Sequence, residues 1–109
     1  VALAAKNWSS SGKLNSGSTY DTGLAVGNLT LQAQYMGLFT HQMGGFVTET
    51  LRKNLEIPED YEICSVTAVG YIGNLSDLPE PLRDYEVGER QRKNVSDIAF
   101  TSRWGNPYN

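Results

Sequence analysis

Two short runs hold the residue types that could do chemistry in this chain. Met43-Gly44-Gly45 sets two adjacent glycines beside a flexible apolar side chain. Without Cβ atoms, backbone there can approach a flat ligand closely and offer its N–H groups as donors. A glycine pair also simply turns a chain, so the motif by itself leaves both readings open. Arg90-Gln91-Arg92-Lys93 sets three cations within four residues of an otherwise acidic protein. In an extended segment Arg90 and Arg92 project to the same side, which suits a bidentate grip on phosphate. The competing reading is a solvated face that balances Asp84, Glu86 and Glu89.

Side-chain catalysis has no nominee. His41 is the one histidine, and the serines gather in a Gly- and Ser-rich stretch. No nucleophile, base and orienter are therefore brought together by the sequence. Cys64, the one cysteine, cannot form an internal disulfide or build a thiolate metal site alone. It reads as a small core residue. If the protein is an enzyme, its chemistry belongs to a cofactor.

Length and charge narrow the class further. A chain of 109 residues with formal charge −3 is one domain or part of one. The balance gives no support for a nucleic-acid or anionic-membrane surface. No apolar run approaches the roughly 20 residues that span a bilayer. The expected setting is a reducing cytoplasm.

The elements that must position these residues follow from periodicity. Val1 to Ala5 reads as an apolar strand, whose edges need partners; the expected partner is upstream sequence or a second copy. Residues 7–19 read as a flexible exposed loop. Ser18 with Asp21 is a variant capping box that opens a helix from about Tyr20 to Met36. Its apolar face is expected to be Leu24, Leu31 and Tyr35, widened by Ala25, Leu29 and Ala33. Gly23 and Gly27 on this helix permit close approach of another backbone, within one subunit or across a dimer. Gly37-Leu38 closes the helix as a left-handed cap, and Thr40 to Phe46 reads as a loop. Thr48 to Leu55 is a second helix with Thr48 as N-cap. Tyr61 to Ile72 carries apolar residues on both faces, as in a strand buried on both sides. Residues 74–95 read as an exposed arm with one helical turn, and Ile98 to Thr101 as a last strand.

The ordered set of motifs resembles the C-terminal portion of the FMN-dependent nitroreductase family. Tyr20-Asp21-Thr22-Gly23 and Asn28-Leu29-Thr30-Leu31-Gln32-Ala33 are similar to its long central helix. Gly37-Leu38 and His41-Gln42-Met43-Gly44-Gly45-Phe46 resemble its loop beside the flavin. Ile57-Pro58-Glu59-Asp60-Tyr61, Val69-Gly70-Tyr71, Arg90-Gln91-Arg92-Lys93 and Arg103-Trp104-Gly105 match later family features in order.

The resemblance implies an α+β fold, a mixed sheet flanked by helices, in an intertwined homodimer that binds FMN. Residues 1–109 would be the C-terminal part of such a domain, without the N-terminal half. It implies an oxidoreductase that passes hydride from NAD(P)H through FMN to nitroaromatic or quinone acceptors. Backbone at Met43, Gly44 and Gly45 would face the reactive edge of the flavin, with Gln42 and His41 shaping the pocket. Arg90 and Arg92 would hold the phosphate, with Lys93 as the alternative in register. The family's early arginine-rich segment has no counterpart in these residues, and Gly44 and Asn94 depart from its common pattern. The alternative expectation is a non-catalytic remnant or dimeric interaction module without productive flavin binding.

Overall fold

The computed structural model describes residues 1–108. The chain divides into two compact units, Val1–Ile72 and Gly73–Asn109. The first unit is α+β and holds β1 (Ala2–Ala5), α1 (Ser18–Tyr35), β2 (Phe39–Met43), α2 (Thr48–Asn54) and β3 (Tyr61–Gly70). The sheet has order β1-β3-β2. Both pairings are antiparallel, where the family resemblance leads one to expect a mixed sheet. β1 finds its partner inside the chain, with Leu3 opposite Ile63 and Ala5 opposite Tyr61.

Helix α1 starts two residues earlier than its periodicity implies. Its N-cap is Gly17, with no side-chain cap, so the expected Ser18–Asp21 box does not form. Ser18 lies in the first turn, where its carbonyl accepts from Thr22 Oγ1 at 2.8 Å. The C-terminus behaves as the sequence implies. Gly37 takes φ +76, Leu38 N donates to Ala33 O at 2.9 Å, and Gly37 N donates to Gln34 O at 3.0 Å. This paired closure is a Schellman motif, and it turns the chain back along the sheet as β2. The same closure ends α2 with Glu56 at φ 52, Ile57 N donating to Arg52 O at 3.0 Å. At the start of α2 the N-cap is Val47, not Thr48, again without a side-chain cap.

The packed face of α1 is not the one the apolar spacing predicts. Thr22, Val26, Thr30 and Ala33, at helical spacing, are half-buried or buried, while Leu24, Leu31 and Tyr35 are exposed, Tyr35 to 88%. Small and β-branched groups let the helix lie close to the sheet, and the larger residues are left outside. The buried apolar residues are Ala4, Ala33, Ile57 and Ile63. β3 is correspondingly not sealed on both faces. Ile63 is buried, Cys64, Val66 and Thr67 are half-buried, and Ala68 and Val69 are exposed. The strand ends at Gly70 rather than Ile72, and Tyr71 and Ile72 are exposed.

Residues 7–19 are mostly exposed but bonded among themselves. Trp8 N donates to Lys13 O at 2.8 Å and Gly12 N to Trp8 O at 2.7 Å. In the second unit a 3-10 turn (Leu75–Asp77) leads to α3 (Leu82–Val87), and a second 3-10 turn spans Val95–Asp97. The strand expected at Ile98 to Thr101 is reduced to one bridge between Phe100 and Pro107. Ser102 at φ 64 and Gly105 at φ +82 fold the chain back too soon for a ladder, and Pro107 has no N–H to extend one.

Candidate functional site

The segment expected as a loop beside the ligand is built on a strand. Thr40, His41, Gln42 and Met43 all belong to β2, which alternates its side chains between two faces. Gln42 stands opposite Thr67 and Met43 opposite Val66. Gln42 faces α1, where its Nε2 donates to Thr30 Oγ1 at 2.6 Å. Thr30 Oγ1 donates in turn to Val26 O at 3.0 Å. With its proton committed, that hydroxyl can serve Gln42 only as an acceptor. Thr40 Oγ1 lies 3.4 Å from the same amide nitrogen. His41 and Met43 belong to the opposite face, with Val66, Ala68 and Cys64.

Gly44 and Gly45 follow directly on the strand. Both are exposed, and a Cβ built on either would meet nothing within 4 Å. Among the described residues neither amide donates to another backbone group. Open backbone with free donors is what close approach by a flat ring requires. The residues fit a flavin edge in this respect.

Arg90, Arg92 and Lys93 belong to the second unit, in the irregular segment between α3 and the turn at Val95–Asp97. Asn94 N donates to Asp97 Oδ2 at 3.2 Å and so fixes the far end of that segment. Arg92 Nη1 donates to Gln91 O at 2.8 Å. Among the described residues none of the three cations is ion-paired; the pair found is Arg52–Glu59. Arg90 lines a polar cavity of about 440 Å³ with Asp84, Glu86 and Glu89. Arg90 shares that cavity with three carboxylates, and Arg92 and Lys93 are not among its lining residues.

Elsewhere the chemistry is thin. A cavity of about 430 Å³ lies among β1, α1 and β3, lined by Leu3, Thr22, Ala25, Val26, Thr67 and Val69 among others. It contains no titratable side chain. No group of His, Cys, Asp and Glu among the described residues could hold a metal ion. Burial pushes the Cys64 thiol above its ordinary value, and the nearby Glu62 charge adds to the rise, so Cys64 is a poor nucleophile at neutral pH. The residue that sequence reasoning passed over is Thr30. Sequence carried no signal for it, because both the packed face of α1 and the strand character of β2 became visible only in the structure.

The model of the nitroreductase family matches residues 1–71. The chain belongs to the nitroreductase family. An uncharacterized 15.4 kDa protein in the ask 5' region of Mycolicibacterium smegmatis is 33% identical over 87 residues, 80% of this chain and 58% of that protein. An oxidoreductase containing FMN has a similar structure, with TM-score 0.84 and 26% identity over 95% of this chain and 54% of its own. A nitroreductase family protein from Clostridium difficile shares the fold, with TM-score 0.64 and 22% identity over 93% of this chain and 56% of its own. The chain thus spans little more than half the length of these relatives. The nitroreductase α+β fold is therefore present in this chain. Among the described residues no helix is long and apolar enough to cross a membrane.

Proposed function

We propose that this nitroreductase-family chain is part of an FMN-dependent oxidoreductase that transfers hydride from NAD(P)H to nitroaromatic or quinone acceptors in the cytoplasm. The observation that carries the reading is the exit of β2. A Cβ at Gly44 or Gly45 would meet nothing within 4 Å, and among the described residues neither amide donates to another backbone group. Met43, Gly44 and Gly45 would lie along the ring, and Arg92 and Lys93, with Arg90, would neutralise the phosphate. Bound FMN would supply the capacity to accept and release hydride. The chain's own part is to orient the ring with backbone donors and to hold its charged tail. The FMN-containing structural relative supports this assignment.

The assembly belongs to the same proposal. Tyr20, Leu24, Leu31 and Tyr35 form an exposed stripe on α1, and Gly23 and Gly27 beside it meet nothing within 4 Å of a built Cβ. A large apolar stripe with a small-residue notch fits a second helix, and we assign it to a homodimer. The same stripe supports the second reading, a dimeric interaction module without productive flavin binding. The visible spectrum of the purified protein separates the two. Flavin absorbance that survives desalting supports the oxidoreductase. Colourless protein that leaves added FMN unchanged supports the module.

A further inference from the structure

We propose that Thr30, on the central helix, is a positioning residue for the flavin loop, an inference that rests on the FMN reading above. The observation is a relay of two hydrogen bonds. Thr30 Oγ1 donates to Val26 O at 3.0 Å and accepts from Gln42 Nε2 at 2.6 Å. Because the hydroxyl proton is spent on the helix, the amide must present its nitrogen to Thr30. The relay thereby fixes which way round the Gln42 amide sits, and it ties the penultimate residue of β2 to α1. Beyond Gln42 the chain has only Met43 before the glycine pair. A Cβ built on Gly44 or Gly45 would meet nothing within 4 Å, and among the described residues β2 pairs on one edge, with β3. Together with the Met43–Val66 pairing, the side-chain tie to α1 is a fixed point close to the glycine amides, and it is the one that comes from the helix. Its geometry sets where those amides stand when the ring arrives.

Thr22 supplies an internal control. It lies on the same helix face, and its hydroxyl makes the same bond one turn back, to Ser18 O at 2.8 Å. Its other contact is Leu3 O at 3.3 Å, with no link to β2.

The test is FMN affinity by quenching of flavin fluorescence for the wild type, T30V, T30S and T22V. The amide signals of Gln42 are followed by NMR in the same proteins. T30V is expected to weaken FMN binding about fivefold, the effect of one net hydrogen bond, with a change in the Gln42 side-chain NH₂ signals. T30S is expected to restore both, and T22V to bind FMN like the wild type. Equal weakening by T30V and T22V would reduce Thr30 to ordinary packing and overturn the inference. Wild-type affinity in T30V would overturn it alone and leave the FMN assignment standing. A wild-type protein that binds no FMN would remove the assignment and this inference with it.

Discussion

Gln42 and Met43, neighbours in β2, send their side chains to opposite faces of the sheet, Gln42 toward Thr30 of α1 and Met43 to the side of Val66. The strand thus separates a polar anchor from an open surface within one residue, and the glycine pair follows at once. That division explains how a short edge strand can be held from one side while its exit stays free for a ligand.

Arg52 holds the turn between α2 and β3. Its Nη1 donates to Ile57 O at 3.2 Å and Pro58 O at 2.7 Å, and its Nη2 to Tyr61 O at 2.9 Å. Arg52→Ala should lower stability by about 2–3 kcal/mol, since charge-assisted bonds are lost and carbonyls are left unpaired. Arg52→Lys should restore little, because a point charge cannot reach the forked set of acceptors. Glu59 lies 3.7 Å from Arg52 but is largely exposed, so Glu59→Ala should change stability by less than about 1 kcal/mol. Urea denaturation of the three variants checks all of this.

The two Schellman closures differ in residue type at the left-handed position. Gly37 takes φ +76 freely, whereas Glu56 takes φ 52 with a Cβ. Glu56→Gly should therefore raise stability by about 0.5–1 kcal/mol, and Gly37→Ala should lower it by about 1 kcal/mol. Thermal unfolding of both variants tests the opposed signs.

The exposed stripe of α1 makes a prediction about assembly. Leu31 is 68% exposed, so Leu31→Glu should leave the fold of the subunit intact while weakening self-association. Sedimentation velocity should show the wild type shifting toward dimer with concentration and the variant remaining at lower mass. Identical profiles would place the contact elsewhere.

Much of this fold is legible in the sequence, and the failures have physical causes. Gly37-Leu38 announces the end of α1 because only a left-handed residue can close a helix in that way. The packed face of α1 is hidden because this helix is apolar on two sides. Leu24, Leu31 and Tyr35 are the larger residues, yet Thr22, Thr30 and Ala33 allow the closer approach to the sheet. β2 escapes notice because His41 and Gln42 look like loop residues beside a glycine pair. Its alternation is visible only once Phe39, His41 and Met43 are seen as one face. At the candidate site, the glycine motif and the basic run could be named from residue types. The Thr30 relay could not, since it joins residues of two elements through a contact that spacing does not encode.

Cys64 gives a pH-dependent test. Burial, then the Glu62 charge, raise its thiol above the ordinary 9.0. The folded state thus holds the proton more tightly than the unfolded chain. The stability from this group is complete below the unfolded value near 9.0 and is lost as pH rises through the higher folded value. Alkylation by iodoacetamide in the native protein should be slower than in the unfolded chain at about pH 8, with a rate midpoint above 9.0. A midpoint at or below that of the unfolded chain would contradict the burial account.

The most direct measurement is a titration of the protein with FMN and, in parallel, with riboflavin, followed by flavin fluorescence. Gly44→Val and the double variant Arg92→Ala with Lys93→Ala are carried alongside. A Cβ added at Gly44 meets nothing within 4 Å, so Gly44→Val should change stability little while blocking the ring. Removing the two cations proposed to hold the phosphate should weaken FMN by tenfold or more, at about 1.4 kcal/mol per decade. The account predicts saturable binding that prefers FMN to riboflavin and is lost in Gly44→Val. In the double variant the preference should disappear. Equal affinity for both flavins in every protein, or no binding in the wild type, would contradict it.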